Sequence, residues 1–204
     1  MPLVVREAGE QHHPRMLLVL LHGRGSDEQD LLSLAGYFNE GARVVSVRAP
    51  YRYGSGYAWY TFTDAARPRL AEWAASVQEL TQWIDSAHNG LPVVLLGFSQ
   101  GGQIAQAVAV QRAGQPVRAL VSLSAPPLFE LPPGQPLKGL PAFWGHGTTD
   151  PVVSPERGEE TLSLLVKLGA SVLPRRYAMG HSVTPEEISD IQTFLAQAAK
   201  NFAE

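Results

Sequence analysis

The chain contains no cysteine. That excludes a disulfide framework, thiolate-bound zinc or iron–sulfur, and any thiol nucleophile. Charge is sparse as well: 17% of residues are charged, below the roughly 25% usual in soluble domains. With 45% hydrophobic residues, such a chain packs a core and is not disordered. The net charge is only −3 and Arg175-Arg176 is the one adjacent basic pair, so nucleic acid is not an expected partner. Long apolar runs are also missing. The aliphatic stretch from Leu17 to Leu21 falls far short of the roughly 20 residues of a membrane helix, so no stable membrane insertion is expected. Arg6, Glu7 and Glu10 interrupt anything like a signal peptide, which points to a cytoplasmic protein. At 204 residues, the whole chain 1–204 reads as one domain able to bury its own core.

Short apolar or β-branched runs recur along the chain. They are Leu3 to Val5, Met16 to Leu21, Arg43 to Val47, Pro92 to Gly97, Ala119 to Leu123, Pro141 to Trp144 and Ser171 to Leu173. Several are apolar at every position, as in strands buried on both faces of a parallel sheet. Helical patterns lie between them. Ser26 with Gln29 has the form of a capping box before Leu31, Leu34, Ala35 and Phe38. Trp73, Val77, Leu80 and Ile84 share one helical face, and Asn89-Gly90 marks its stop. Ser154-Pro155 opens a helix running to Gly169, and Thr184-Pro185-Glu186-Glu187 opens the last one. The alternation predicts an α/β fold with a mainly parallel central sheet and helices on both faces. Two stretches read as loops: Pro50 to Pro68, rich in Tyr, Gly and Arg, and Pro126 to Pro136, with five prolines.

The run from Pro92 ends in Gly97-Phe98-Ser99-Gln100-Gly101-Gly102 and is followed by an apolar helix. A strand, a Gly-x-Ser-x-Gly turn and a helix together make a nucleophile elbow, which exposes the serine hydroxyl beside unpaired helix N–H groups. Ser99 is therefore the expected nucleophile. It needs a base and an orienting acid, and in this kind of fold these follow in the order Ser, Asp or Glu, His. Of the two later histidines, His181 lies on a glycine turn before the last helix, whereas His146 at a strand end reads as a packed histidine. Asp150 follows the same strand as His146, where α/β sheets place catalytic groups. A plain turn role for Asp150 and a solvated helix position for Asp190 are the competing readings. The loop His22-Gly23-Arg24-Gly25-Ser26 offers backbone donors. Arg24 and Gln100 N–H groups are thus the expected oxyanion hole. With no Gly-x-Gly-x-x-Gly and no Gly-Lys-Ser/Thr, nucleotide binding is a weak alternative.

Four motifs occur in order: Leu21-His22-Gly23-x-Gly25, Gly97-Phe98-Ser99-Gln100-Gly101-Gly102, His146-Gly147-x-x-Asp150-Pro151-Val152-Val153 and Met179-Gly180-His181-Ser182. The chain resembles the phospholipase/carboxylesterase family of α/β-hydrolases, which includes acyl-protein thioesterases. The resemblance spans about Leu17 to the C-terminal helix. It implies an α/β-hydrolase fold without a large cap domain, and Ser99, Asp150 and His181 as the triad. It also implies a small acyl ester substrate of short to medium chain, including thioesters or lysophospholipids, with no cofactor. No metal site is expected. Two departures stand out. The family usually carries an apolar residue where Arg24 stands, and Trp-Phe-Asp where this chain reads Trp59-Tyr60-Thr61-Phe62-Thr63-Asp64.

Trp59 and Phe62 are candidates to line the acyl site, with hydrophobic pinning of their loop as the equal alternative. For Leu128 and Phe129, in the proline-rich loop, the same two readings apply, with pinning ahead of pocket lining. An apolar patch near the site would serve a homodimer or the approach of lipid-like substrates. A peptidase or long-chain lipase would need cap insertions for which the chain has no room. A ligand-binding hydrolase fold without activity would lack a triad member. The core consumes nearly all of the length, so the site is expected to be shallow and its specificity broad.

Overall fold

The computed structural model describes residues 3–38, 41–132 and 136–202. In chain order come β1 (Val5–Gly9), β2 (Met16–Leu21), a 3-10 turn (Leu31–Leu34), α1 (Ala35–Phe38) and β3 (Ala42–Val47). A small hairpin of β4 (Tyr51–Tyr53) and β5 (Gly56–Ala58) precedes α2 (Leu70–Ala87). Next are β6 (Val93–Phe98), α3 (Gln100–Arg112), β7 (Val117–Leu123) and β8 (Pro141–Gly147). The chain closes with α4 (Pro155–Lys167), β9 (Ser171–Tyr177) and α5 (Pro185–Lys200). Seven strands form one sheet in the order β1-β3-β2-β6-β7-β8-β9. β1 runs antiparallel to β3, and the other pairings are parallel. The last two strands run past their apolar runs, because Gly145, His146 and Gly147 still pair with Arg175, Arg176 and Tyr177.

β2 shows why the runs are apolar throughout. Leu17, Val19 and Leu21 face a core built with α2, α3 and α4, through residues such as Trp73, Leu80, Ile104 and Leu165. Met16, Leu18 and Leu20 face the opposite core, with Phe38 of α1 and Ile191, Phe194 and Leu195 of α5. Alternate side chains point to opposite faces, so two-sided burial demands an apolar residue at each position. From β2 the chain adds β3 on one side, then crosses to β6 on the other. At such a reversal the loops leaving the two strands diverge, and a crevice opens at their carboxyl ends.

Of the three helix starts read from capping residues, two hold. Ser154 and Thr184 accept hydrogen bonds from the N–H groups of Arg157 and Glu187 at their helix N-termini. Asn89 and Gly90 end α2 with φ of +49° and +81°. The Ser26/Gln29 capping box does not form. The Ser26 carbonyl accepts from Tyr57 N–H at 2.8 Å, which draws Ser26 into a bridge with the hairpin. The helical turn then begins at Leu31 with Asp30 as its cap, without a side-chain bond. The stretch from Pro50 to Pro68, expected as a loop, contains the β4/β5 hairpin.

Candidate active site

Every candidate catalytic group follows the carboxyl end of a sheet strand: Arg24 after β2, Ser99 after β6, Asp150 after β8 and His181 after β9. Ser99 has φ +55° and ψ −119°, a conformation that costs free energy and persists only where surroundings enforce it. The enforcement is glycine packing. A Cβ on Gly101 would lie 2.5 Å from the Leu21 carbonyl carbon and 2.6 Å from the His22 oxygen, so α3 rests directly on the end of β2. Gln100 opens α3, and its N–H is among the unpaired donors of that helix start.

His181 joins the serine to the acid. Its Nε2 lies 3.0 Å from Ser99 Oγ and its Nδ1 2.7 Å from Asp150 Oδ2. The other carboxylate oxygen, Oδ1, accepts from Val152 N–H at 2.8 Å and Val153 N–H at 2.9 Å. Burial acts to raise the Asp150 carboxyl, but the bonds from His181, Val153 and Val152 outweigh it and hold it below the usual carboxylate range. The two loops are stitched together. Thr148 N–H donates to the Tyr177 carbonyl at 2.9 Å, and Thr149 Oγ1 to the Met179 carbonyl at 3.0 Å. His146 is buried, as expected of a packed histidine. It stacks on Trp144 at 5.6 Å and 11°, with Nε2 2.9 Å from the Val153 carbonyl. Asp190 departs from its solvated reading: it accepts from Tyr177 Oη at 2.8 Å and pairs with Arg175 at 3.3 Å.

The Arg24 loop is anchored at both ends. His22 is fully buried; its Nε2 accepts from Ala49 N–H at 3.0 Å, which leaves Nδ1 to donate to the Gly23 carbonyl at 2.7 Å. Burial pushes its pKa down, so the imidazole stays neutral. Downstream, buried Glu28 takes both forks of Arg48 at 2.6 Å. The Arg48 hydrogen bond overcomes burial and pulls the Glu28 carboxyl down to about 2. Neither Arg24 N–H nor Gln100 N–H has an acceptor among the described residues.

A cavity of about 510 Å³ opens at Ser99, His181, Arg24 and Gln100. Its apolar wall includes Tyr60, Phe62, Phe129 and Val152. Phe62 lies on this wall, whereas Trp59 takes the other of its two readings and pins the loop. Trp59 is fully buried beneath the site and donates its indole N–H to the His22 carbonyl at 2.9 Å. Its main-chain N–H donates to Gln100 Oε1 at 3.1 Å, while Gln100 Nε2 donates to the Tyr60 carbonyl at 3.0 Å. A tryptophan tied to the Arg24 loop on one side and to α3 on the other has no face left for a ligand. Phe129 lines the cavity and packs edge-on to Tyr60 at 5.2 Å, while Leu128 packs into the core. Among the described residues, no three His, Asp or Glu side chains cluster as a metal site, and no helix is long and apolar enough to cross a membrane.

The sequence model of the Phospholipase/Carboxylesterase family matches residues 3–199. The chain belongs to this family. It is 28% identical over 189 residues to the putative hydrolase MhqD of Bacillus subtilis, covering 89% of this chain and 93% of that one. It is 34% identical over 152 residues to acyl-protein thioesterase 1 of Cryptococcus neoformans, a match spanning 64% of this chain and 63% of the relative's length. The Bacillus cereus carboxylesterase superposes with a TM-score of 0.84 at 24% identity, over 96% of this chain and 94% of that one. The fold is that of the α/β-hydrolases, with no separate cap domain among the described residues.

Several residues that shape the site in this family member lie outside the reasoning from motifs. Phe98 packs on the His181 ring at 4.8 Å, and Arg48 with Glu28 braces the Arg24 loop. Phe98 stands inside the serine motif, so its position carried a signal. The Arg48–Glu28 pair, 20 residues apart, carried none.

Proposed function

We propose that the protein is a serine carboxylesterase acting on short- to medium-chain carboxylic esters, thioesters included, through an acyl-enzyme on Ser99. The observation that carries this reading is the Ser99–His181–Asp150 relay at 3.0 and 2.7 Å, mounted on a serine with φ +55°. With Nδ1–H given to Asp150, His181 Nε2 is free to take the Ser99 proton as Oγ attacks the ester carbonyl. The oxygen–carbon bond forms, and the carbonyl pair moves onto oxygen between the N–H groups of Arg24 and Gln100. Collapse breaks the bond to the leaving group, which takes the proton from Nε2 and departs as alcohol or thiol. Water then attacks the acyl-enzyme, gives its proton to Nε2, and the proton returns to Ser99 as the acid leaves. Asp150 holds the tautomer and stabilises the imidazolium; its carboxyl, held below the usual range, stays ionised for that task.

The aromatic wall of Tyr60, Phe62 and Phe129 supports acyl binding there. The test is turnover of p-nitrophenyl esters of graded chain length by wild type and Ser99→Ala. The variant is expected to lose a factor on the order of 10⁴ or more in kcat. A fluorophosphonate should label the wild type once, at Ser99. Wild-type turnover by a folded Ser99→Ala protein would refute the reading.

A further inference from the structure

The cavity beside Ser99 is lined by two arginines, Arg24 and Arg157, and by no Asp or Glu among the described residues. Arg24 lies over aromatic faces, its guanidinium carbon 5.2 Å from the Tyr53 ring centre and 5.1 Å from that of Phe62. Among the described residues no acid stands within 4 Å of it. Arg157 enters from the first turn of α4. Its acidic contact, Glu160 Oε2 at 3.8 Å, is long and joins side chains 50% and 59% exposed, so it neutralises little. Burial pushes the Tyr60 hydroxyl on this wall up to about 12, while the charge of Arg24, a hydrogen bond with Gln100 and the charge of Arg157 draw it the other way.

Acids outnumber Lys and Arg, 19 to 16, and several arginines are matched closely: Arg43 to Glu7 at 2.7 Å, Arg48 to Glu28 at 2.6 Å, Arg112 to Asp85 at 2.7 Å and Arg176 to Glu159 at 2.6 Å. What sets Arg24 and Arg157 apart is that both line the cavity that holds Ser99. Arginines left without a close acid at a cavity with an apolar wall form a ready receptor for an oxyanion, since each fork matches a carboxylate or phosphate. We propose that the substrate is an ester bearing a second, anionic group, a carboxylate or a phosphate, held by Arg24 and Arg157 while its ester carbonyl lies at Ser99. This rests on the esterase reading and narrows it. The Arg24 side chain grips the anion while its main-chain N–H faces the carbonyl. An anionic substrate therefore also steadies the oxyanion loop.

The test compares p-nitrophenyl hydrogen glutarate with its methyl-capped ester, which shares leaving group and chain length. The ratio of their kcat/KM values cancels any general loss of activity. In the wild type it should favour the acid by about tenfold, as expected of one charge-assisted hydrogen bond, and should shrink as salt is raised. It should fall to about one in the Arg24→Gln/Arg157→Gln double variant. A phosphonate analogue with its own methyl-capped partner forms a second arm, and the larger ratio names the anion. Wild-type ratios of one or below in both arms, or ratios that survive the double variant, would overturn the proposal. Binding is measured separately, by calorimetry of Ser99→Ala with monomethyl glutarate and methyl phosphonate. Anion binding that weakens with Arg157→Gln supports the subsite even if the esterase reading fails. Binding indifferent to that change, or absent for both anions, overturns it.

Discussion

Glu187→Gln should stabilise the protein at neutral pH, by an amount that grows with pH. Glu187 lies in the first turn of α5, fully buried against Gly145 of β8 and near Phe143. Neither carboxylate oxygen has a hydrogen-bond partner among the described residues. Burial, and then the charge of Asp190, push its carboxyl from an ordinary 4.5 up to about 8. The native state therefore keeps a proton that the unfolded chain releases above 4.5. Stability is unaffected below that value, falls between about 4.5 and about 8, and levels off above. The slope is about 1.4 kcal/mol per pH unit, so roughly 3 kcal/mol is lost by pH 7, against a typical total of about 5–15. Glutamine keeps the volume and cannot ionise, which removes the slope. Its buried amide stays unpaired, so the difference between the two proteins across pH is the cleaner measure. Urea denaturation of both at several pH values from 5 to 8 gives that difference. A flat difference would refute the reasoning. It would mean that the field of the helix N-terminus keeps Glu187 ionised in the folded state.

Three further outcomes are expected. Gly101→Ala pushes a methyl group into the backbone of Leu21 and His22, so α3 must move off β2; a urea or thermal melt should show a loss of about 1–3 kcal/mol, and ester turnover should drop as the Gln100 N–H shifts. Asp150→Asn should leave the circular dichroism spectrum intact but lower kcat by about 10⁴, because the amide stabilises the wrong imidazole tautomer. His146→Phe keeps the stack on Trp144 but deletes the bond to the Val153 carbonyl. With that buried carbonyl unpaired, stability should fall by about 1–3 kcal/mol, and kcat should fall with KM little changed as the loop bearing Asp150 loosens.

Much of the architecture is visible in local pattern. β2 and β6 read as strands because a strand covered on both faces requires apolar residues without interruption, a demand that needs no knowledge of neighbours. Ser99 stands out for a similar reason. Its turn needs glycine on both sides, since Gly97 and Gly101 leave no room for a Cβ. Chain order then narrows the candidate acid and base to a few residues, and the fold brings Asp150 and His181 to Ser99 across 82 residues of sequence.

Other choices rest on which atoms meet in space. Trp59 and Phe62 are aromatic neighbours in one loop. Hydrogen bonds to His22, Gln100 and Ser76 drive Trp59 under the site and leave Phe62 on the cavity wall. Ser26 has the composition of a helix cap, yet the carbonyl it would use at a helix start is claimed by Tyr57 of the hairpin. Arg24 and Arg157 lie on loops and helices 133 residues apart, and their shared cavity exists only once the strand ends are assembled. Periodicity and glycine steric limits are properties of a short stretch of chain, so elements and elbow can be read there. Partnership, burial and charge compensation are properties of pairs distant in sequence, and folding alone settles those.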